Sequence, residues 1–119
     1  LLCLAAGIRP IITSSSDEKL KALQELHPEV RGINYKTIPD QGAEIRRLTD
    51  GRGVDFVVNN TGPQSILDDI GFLCGRGGTV SIVGFLQGFE ADWEPKRIMN
   101  LMAKSAKIKY VILSSIESL

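Results

Sequence analysis

Seven polar residues in a row, Thr13-Ser14-Ser15-Ser16-Asp17-Glu18-Lys19, follow the apolar Ile11-Ile12 and precede Leu20. Hydroxyls and an ammonium gathered over one turn can hold the hydroxyls of a sugar or a phosphate carried on it. They do so only if the backbone presents them at an edge. Pro10-Ile11-Ile12 reads as part of a short strand, Arg9 to Thr13. Ser15, with Glu18 three residues on, has the spacing of a capping box that opens a helix. Asn60-Thr61-Gly62 and Val83-Gly84-Phe85 end two further apolar runs in the same way.

The elements that must position these groups alternate along the whole chain. A helix carries Leu20, Leu23 and Leu26 as its apolar stripe and stops at His27-Pro28, because proline disfavours helical geometry in the residue before it. Gly32 to Tyr35 is a short strand. Asp40 caps a helix with Ile45 and Leu48 inside, closed by Asp50-Gly51-Arg52-Gly53. Val54 to Asn59 has a continuous apolar centre suited to burial on both faces. Pro63 to Cys74 is a helix with Ile66, Leu67, Ile70 and Leu73 inward. Thr79 to Gly84 is a buried strand, and Pro95 to Lys104 a helix with Ile98, Leu101 and Met102 inside. Ile108 to Leu113 is the last strand.

Strands alternating with helices imply parallel pairing through crossovers. The expected fold class is α/β, a doubly wound parallel sheet of Rossmann type. In such sheets ligands sit at the carboxyl ends of the strands, and the polar corner after the second strand contacts the adenosine ribose of a dinucleotide. The Gly-rich phosphate loop that belongs on the first strand has no counterpart among the 119 residues. Leu1 to Ala6 reads as the last turns of a buried helix capped by Gly7, so the chain is expected to start inside an element. Residues 1–119 are then part of a dinucleotide-binding domain that lacks its first, central strand. Four to eight backbone groups would lose partners, at ~1–3 kcal/mol each. The isolated chain is therefore expected to be molten or aggregation-prone and to bind NADP(H) weakly.

Composition narrows the function. Lys plus Arg and Asp plus Glu number 14 each, so no strong field favours nucleic acid or an anionic membrane. The opening apolar residues are too few for a membrane span and lack the basic region of a signal peptide, which makes the cytoplasm the expected location. Cys3 and Cys74 are far apart and His27 is the one histidine, so no closely spaced zinc ligands exist. Both cysteines read as reduced packing residues, and His27 as a surface or capping residue.

Arg46-Arg47-Leu48-Thr49-Asp50-Gly51-Arg52-Gly53-Val54-Asp55-Phe56-Val57-Val58 resembles the helix, glycine turn and strand in the cofactor domain of medium-chain, zinc-type alcohol-dehydrogenase-like oxidoreductases, including quinone oxidoreductases. The Thr13 to Leu20 corner, Gly32 to Thr37 and Arg76 to Leu86 agree with that family in order. The resemblance implies an NAD(P)-dependent enzyme that transfers hydride to or from a carbonyl or an activated alkene. It places Ser14 where enzymes preferring NAD carry an acid that pairs with the ribose. Ser14 is neutral and cannot repel a 2′-phosphate; Ser15 adds a hydroxyl and Lys19 a charge, so NADP(H) is favoured over NAD(H). Tyr35 matches a position beside the adenosine, Asn60, Thr61 and Gly62 line the cofactor at the next strand end, and Val83, Gly84 and Phe85 match the nicotinamide cradle.

Two features depart from that pattern. Ser114-Ser115-Ile116 stands where family members carry Gly-Ser-Arg, and no catalytic acid, base or metal ligand can be named in these residues. Asn59-Asn60-Thr61-Gly62 is also similar to a short-chain dehydrogenase motif, but Pro39 and Ser114 stand four residues after Tyr35 and Tyr110, so the required Tyr-x-x-x-Lys pair is absent. A non-catalytic module reusing the fold, or a truncated inactive product, are the alternative readings. The strand over Ile108 to Leu113 offers a pairing edge for a homo-oligomer.

Overall fold

The computed structural model describes residues 1–91 and 93–111. The chain divides into two compact units between Gly51 and Arg52. The first holds helix α1 (Leu2–Ala5), strand β1 (Ile11–Ser14), helix α2 (Asp17–Leu26), strand β2 (Arg31–Asn34) and helix α3 (Gln41–Leu48). The second holds strand β3 (Phe56–Asn59), a 3-10 turn (Pro63–Ser65), helix α4 (Ile66–Phe72), strand β4 (Thr79–Ile82), helix α5 (Pro95–Ala103) and strand β5 (Lys107–Tyr110). All pairings between strands are parallel: β1 with β2 in one sheet, and β3-β4-β5 in order in the other. The α/β class with parallel strands and intervening helices is the one the sequence implies.

In the first unit, β1 and β2 run in register from Ile11 opposite Arg31 to Ser14 opposite Asn34. Helix α2 lies close on β2: a Cβ at Gly32 would stand 3.1 Å from the Leu20 side chain. Leu20, Val30, Ile33 and Ile45 are its buried apolar residues. Asp40 caps α3 as expected, accepting from the Ala43 N–H at 2.9 Å. Gly7 adopts φ +74° and closes α1, with the Ile8 N–H donating to the Cys3 carbonyl at 2.8 Å.

In the second unit, Ile66, Leu67, Ile70 and Leu73 meet Val80 and Ile82. Full burial of each such side chain is worth ~1.5–3 kcal/mol. Lys104 closes the carboxyl end of α4, its Nζ donating to the carbonyls of Ile70, Gly71 and Leu73 at 3.0, 3.1 and 2.8 Å.

Several elements differ from the sequence expectation. Strand β1 runs one residue further, to Ser14, so the cap of α2 is Ser16 rather than Ser15, and the residue three places on is Lys19, not Glu18. Leu26 lies exposed, because α2 buries Leu20 and turns its last residue outward. Phe56 and Val58 are each 67 % exposed, so β3 buries one face rather than both. The helix expected from Pro63 begins as a 3-10 turn, and the α-helix proper starts at Ile66. Strand β4 ends at Ile82, and Val83 and Gly84 belong to the loop after it. Met102 is 70 % exposed while Ile98 and Leu101 pack on the core, the expected stripe being one residue too wide. Helix α1 has no buried residue and Cys3 is exposed, so neither is a packing element; Cys74 is buried. Strand β5 starts at Lys107, and Leu113 and Ser114-Ser115-Ile116 lie outside the described residues.

Candidate dinucleotide site

The carboxyl end of β1 carries the first group of expected residues. Ser14 ends the strand half-buried, and its Oγ accepts from the Ser16 N–H at 3.2 Å. That bond tightens the turn into α2. Ser15 is exposed at the tip of the turn, and Lys19 is exposed one turn along α2. Tyr35 follows β2; its N–H donates to the Ser14 carbonyl at 3.2 Å, and its ring is exposed. Ser14, Ser15 and Tyr35 therefore share one edge, with Lys19 on the helix that leaves it.

Sequence reasoning missed Asn34, the residue that organises this edge. It is buried opposite Ser14, donates from Nδ2 to Asp17 Oδ1 at 2.8 Å, and accepts at Oδ1 from the Lys36 N–H at 3.0 Å. It ties the end of β2 to the first turn of α2.

The second group lies at the carboxyl ends of β3 and β4. The loop after β4 continues alongside the loop after β3: Val83 N donates to the Asn59 carbonyl at 2.8 Å, and Gln87 N to the Thr61 carbonyl at 2.8 Å. All six expected residues come together here. Asn60 is exposed, Thr61, Val83, Gly84 and Phe85 are half-buried, and Gly62 is buried.

The glycines are explained by the chain's own packing. Gly62 adopts φ +126°, and a Cβ there would fall 2.6 Å from the Gly88 carbonyl oxygen. Gly84 faces the backbone of Asn60, whose carbonyl oxygen would stand 2.7 Å from an added Cβ. Phe85 stacks on Phe89 at 4.6 Å between centroids and on Tyr110 at 6.4 Å, which fixes the wall of the loop.

Beneath the loops lies a buried polar cluster that sequence reasoning also missed. Asn59 Oδ1 accepts from the N–H groups of Thr61 and Gly62 at 2.8 and 2.9 Å, and from Thr61 Oγ1 at 3.1 Å. Its Nδ2 donates to the Gly62 carbonyl and Ser65 Oγ, each at 2.9 Å, and to Asp69 Oδ2 at 2.6 Å. Burial pushes the Asp69 carboxyl up to about 6, against the hydrogen bonds from Asn59 and Ser65 that favour its charged form. The available signal was an Asx residue at a strand end, whose side chain commonly bonds the backbone two residues on.

Each unit carries groups of its own that suit part of a dinucleotide. In the first, the exposed Ser15 hydroxyl and Lys19 ammonium by the end of β1 suit a sugar or a phosphate; in the second, a polar loop pair stands at the ends of β3 and β4. Beside Gly62, Gln64 donates to the Gln87 carbonyl, while its buried Oε1 has no hydrogen-bond partner among the described residues. For a metal the donor set does not fit: among the described residues no three His, Cys, Asp or Glu side chains cluster. No step is assigned to zinc on these residues.

Parallel strands joined by helices define an α/β class of protein, and the comparisons make the class specific. The model of the zinc-binding dehydrogenases matches residues 1–119, and the chain belongs to that family. It is similar to a zinc-type alcohol dehydrogenase-like protein of Schizosaccharomyces pombe, 35 % identical over 83 residues that make up 70 % of this chain and 23 % of that protein. It is similar to the structure of an NAD-dependent alcohol dehydrogenase (TM-score 0.75, 29 % identity, 98 % of this chain and 32 % of that one). It is also similar to a mycobacterial protein complexed with NADPH (TM-score 0.71, 26 % identity, 92 % of this chain and 33 % of that one). The chain thus spans about a quarter to a third of the length of these relatives.

Proposed function

We propose that residues 1–119 form part of the dinucleotide-binding domain of an NAD(P)-dependent oxidoreductase that transfers hydride to or from a carbonyl or an activated alkene. The observation that carries this reading is the meeting of Asn60-Thr61-Gly62 with Val83-Gly84-Phe85 at the carboxyl ends of two adjacent parallel strands. Family membership and the NADPH complex of one relative support it.

Within this reading, Ser14, Ser15 and Lys19 meet the adenosine ribose and Tyr35 flanks the adenosine. Asn60, Thr61 and Gly62 border the dinucleotide, and Val83, Gly84 and Phe85 border the nicotinamide. The neutral Ser14 and cationic Lys19 favour NADP(H) over NAD(H). No described helix is long and apolar enough to cross a membrane. The same reading assigns the protein to the cytoplasm and its β5 edge to a homo-oligomer.

The test is titration of the full-length protein with NADPH and NADH, followed by nicotinamide fluorescence. Consumption of the reduced nucleotide is then assayed with quinones, enones and aldehydes. Tighter binding of NADPH and turnover with one of these acceptors are expected. A folded protein that binds neither nucleotide would rule the reading out.

A further inference from the structure

We propose that Asp69 is a positioning residue for the dinucleotide site and acts through Asn59; this rests on the function proposed above. Neither residue was among those expected to meet the cofactor, and both are buried. Asn59 is the only side chain among the described residues bonded to both the Thr61 and Gly62 N–H groups. It can serve them only with its carbonyl oxygen. A primary amide is nearly symmetric in shape, so something must decide which way it points.

Asp69 makes that choice. A carboxylate only accepts, so the Asp69 oxygen 2.6 Å away requires the Asn59 nitrogen on its side and thereby turns Oδ1 toward the loop. Ser65 reinforces the choice, because its Oγ donates to the same Asp69 oxygen at 3.3 Å and so accepts from Asn59. With the amide reversed, both loop N–H groups would face another N–H donor and the Gly62 carbonyl would face an oxygen.

The consequence reaches both halves of the loop pair. Asn60 lies between the residue that is held and the two N–H groups that are held. Its carbonyl touches Gly84 and accepts from the Leu86 N–H. A shift of Asn60-Thr61-Gly62 therefore displaces Val83-Gly84-Phe85 as well.

The test uses the full-length protein, with NADPH as the probe and circular dichroism and thermal melts alongside. Asp69→Leu removes the acceptor and is expected to weaken NADPH binding about tenfold, measured well below its melting temperature. Asp69→Asn keeps an acceptor and should stay within about threefold of wild type. Asn59→Asp sets two carboxylates in contact and should weaken binding at least as much as Asp69→Leu. Adding Asp69→Asn to it exchanges amide and carboxylate and should restore most of the loss.

A folded Asp69→Leu protein with wild-type NADPH affinity would overturn the proposal, since a purely structural role moves the melt and not the affinity of the folded protein. So would a double variant no better than Asn59→Asp alone, and this comparison decides the matter if Asp69→Leu does not fold. Wild-type protein that binds neither NADPH nor NADH would remove the proposed function itself and this inference with it, an outcome distinct from the other two.

Discussion

Lys104 and Leu73 meet where α4 ends: the lysine Nζ stands 2.8 Å from the Leu73 carbonyl oxygen and also takes the carbonyls of Ile70 and Gly71. These are carbonyls that a helix leaves without partners at its carboxyl end, where a positive charge also suits the helix dipole. Replacing Lys104 by Met keeps much of the stem and removes the donor. Stability should fall by about 1–3 kcal/mol, the cost of buried acceptors left without a charged partner. Urea denaturation would measure it, and Lys104→Arg should recover part of the loss.

Two glycines separate conformational from steric effects. Nothing lies within 4 Å of a Cβ added at Gly71 in α4, whereas at Gly84 the Asn60 carbonyl oxygen would be 2.7 Å away. Gly71→Ala should raise stability by about 0.4–1 kcal/mol through the unfolded chain. Gly84→Ala should lower the melting temperature and weaken NADPH binding together, because the Asn60 backbone must move. Melts of the two variants should shift in opposite directions, and nucleotide titrations should weaken for Gly84→Ala alone.

Asp69 should leave a signature in the pH dependence of stability. Its folded carboxyl sits at about 6 because of burial, above the ordinary aspartate value near 4. The folded state thus holds the proton more tightly than the unfolded one. The stability it contributes is fully present below about pH 4 and is lost as pH rises through 6, an effect on the order of 2–3 kcal/mol. Asp69→Asn should flatten that slope. Glu44 and Asp55 act the opposite way: Arg47 and Arg52 hold their carboxyls below the usual range, so their contribution is lost only in more acidic solution. Urea midpoints of wild type and variant between pH 4 and 7 would show whether the slope belongs to Asp69.

Cofactor choice should follow the exposed cation at the β1 corner. Lys19→Ala is expected to weaken NADPH about tenfold while leaving NADH within about twofold, the loss of one charge-assisted contact to a phosphate. Ser14→Asp should push preference further toward NADH, because a carboxylate pairs with ribose hydroxyls and repels a 2′-phosphate. Equal losses for the two nucleotides in both variants would show that this corner does not read the 2′ position.

The alternation of strands and helices was legible because each element carries its own signal. Asp40 caps α3 through its side chain, His27-Pro28 ends α2, and Ile66, Leu67, Ile70 and Leu73 face one core. What failed locally was register. Three consecutive serines offer the same capping chemistry, and only the extra residue in β1 selects Ser16 over Ser15. An apolar run alone implies burial of β3 on both faces, and the exposed Phe56 and Val58 show that such a run does not specify what covers it. The ten residues expected at the site follow from strand ends and family resemblance, and the structure puts Asn60, Thr61 and Gly62 beside Val83, Gly84 and Phe85. The pairing of Asn59 with Asp69 is not legible there, since the 3-10 turn at Pro63–Ser65 brings together residues ten positions apart.

Strand β4 has a hydrogen-bonded neighbour on each side, and its Val80 and Ile82 side chains are wholly buried. Strands β3 and β5 each have one such neighbour in that sheet, as do β1 and β2 in theirs. Local opening can therefore peel an outer strand while β4 keeps half its ladder, so the free-energy cost of opening rises toward β4. Val83 and Gly84 hang from the segment of their unit that opens least often. The strand from which the loop bordering the proposed nicotinamide position springs therefore serves as a fixed mount.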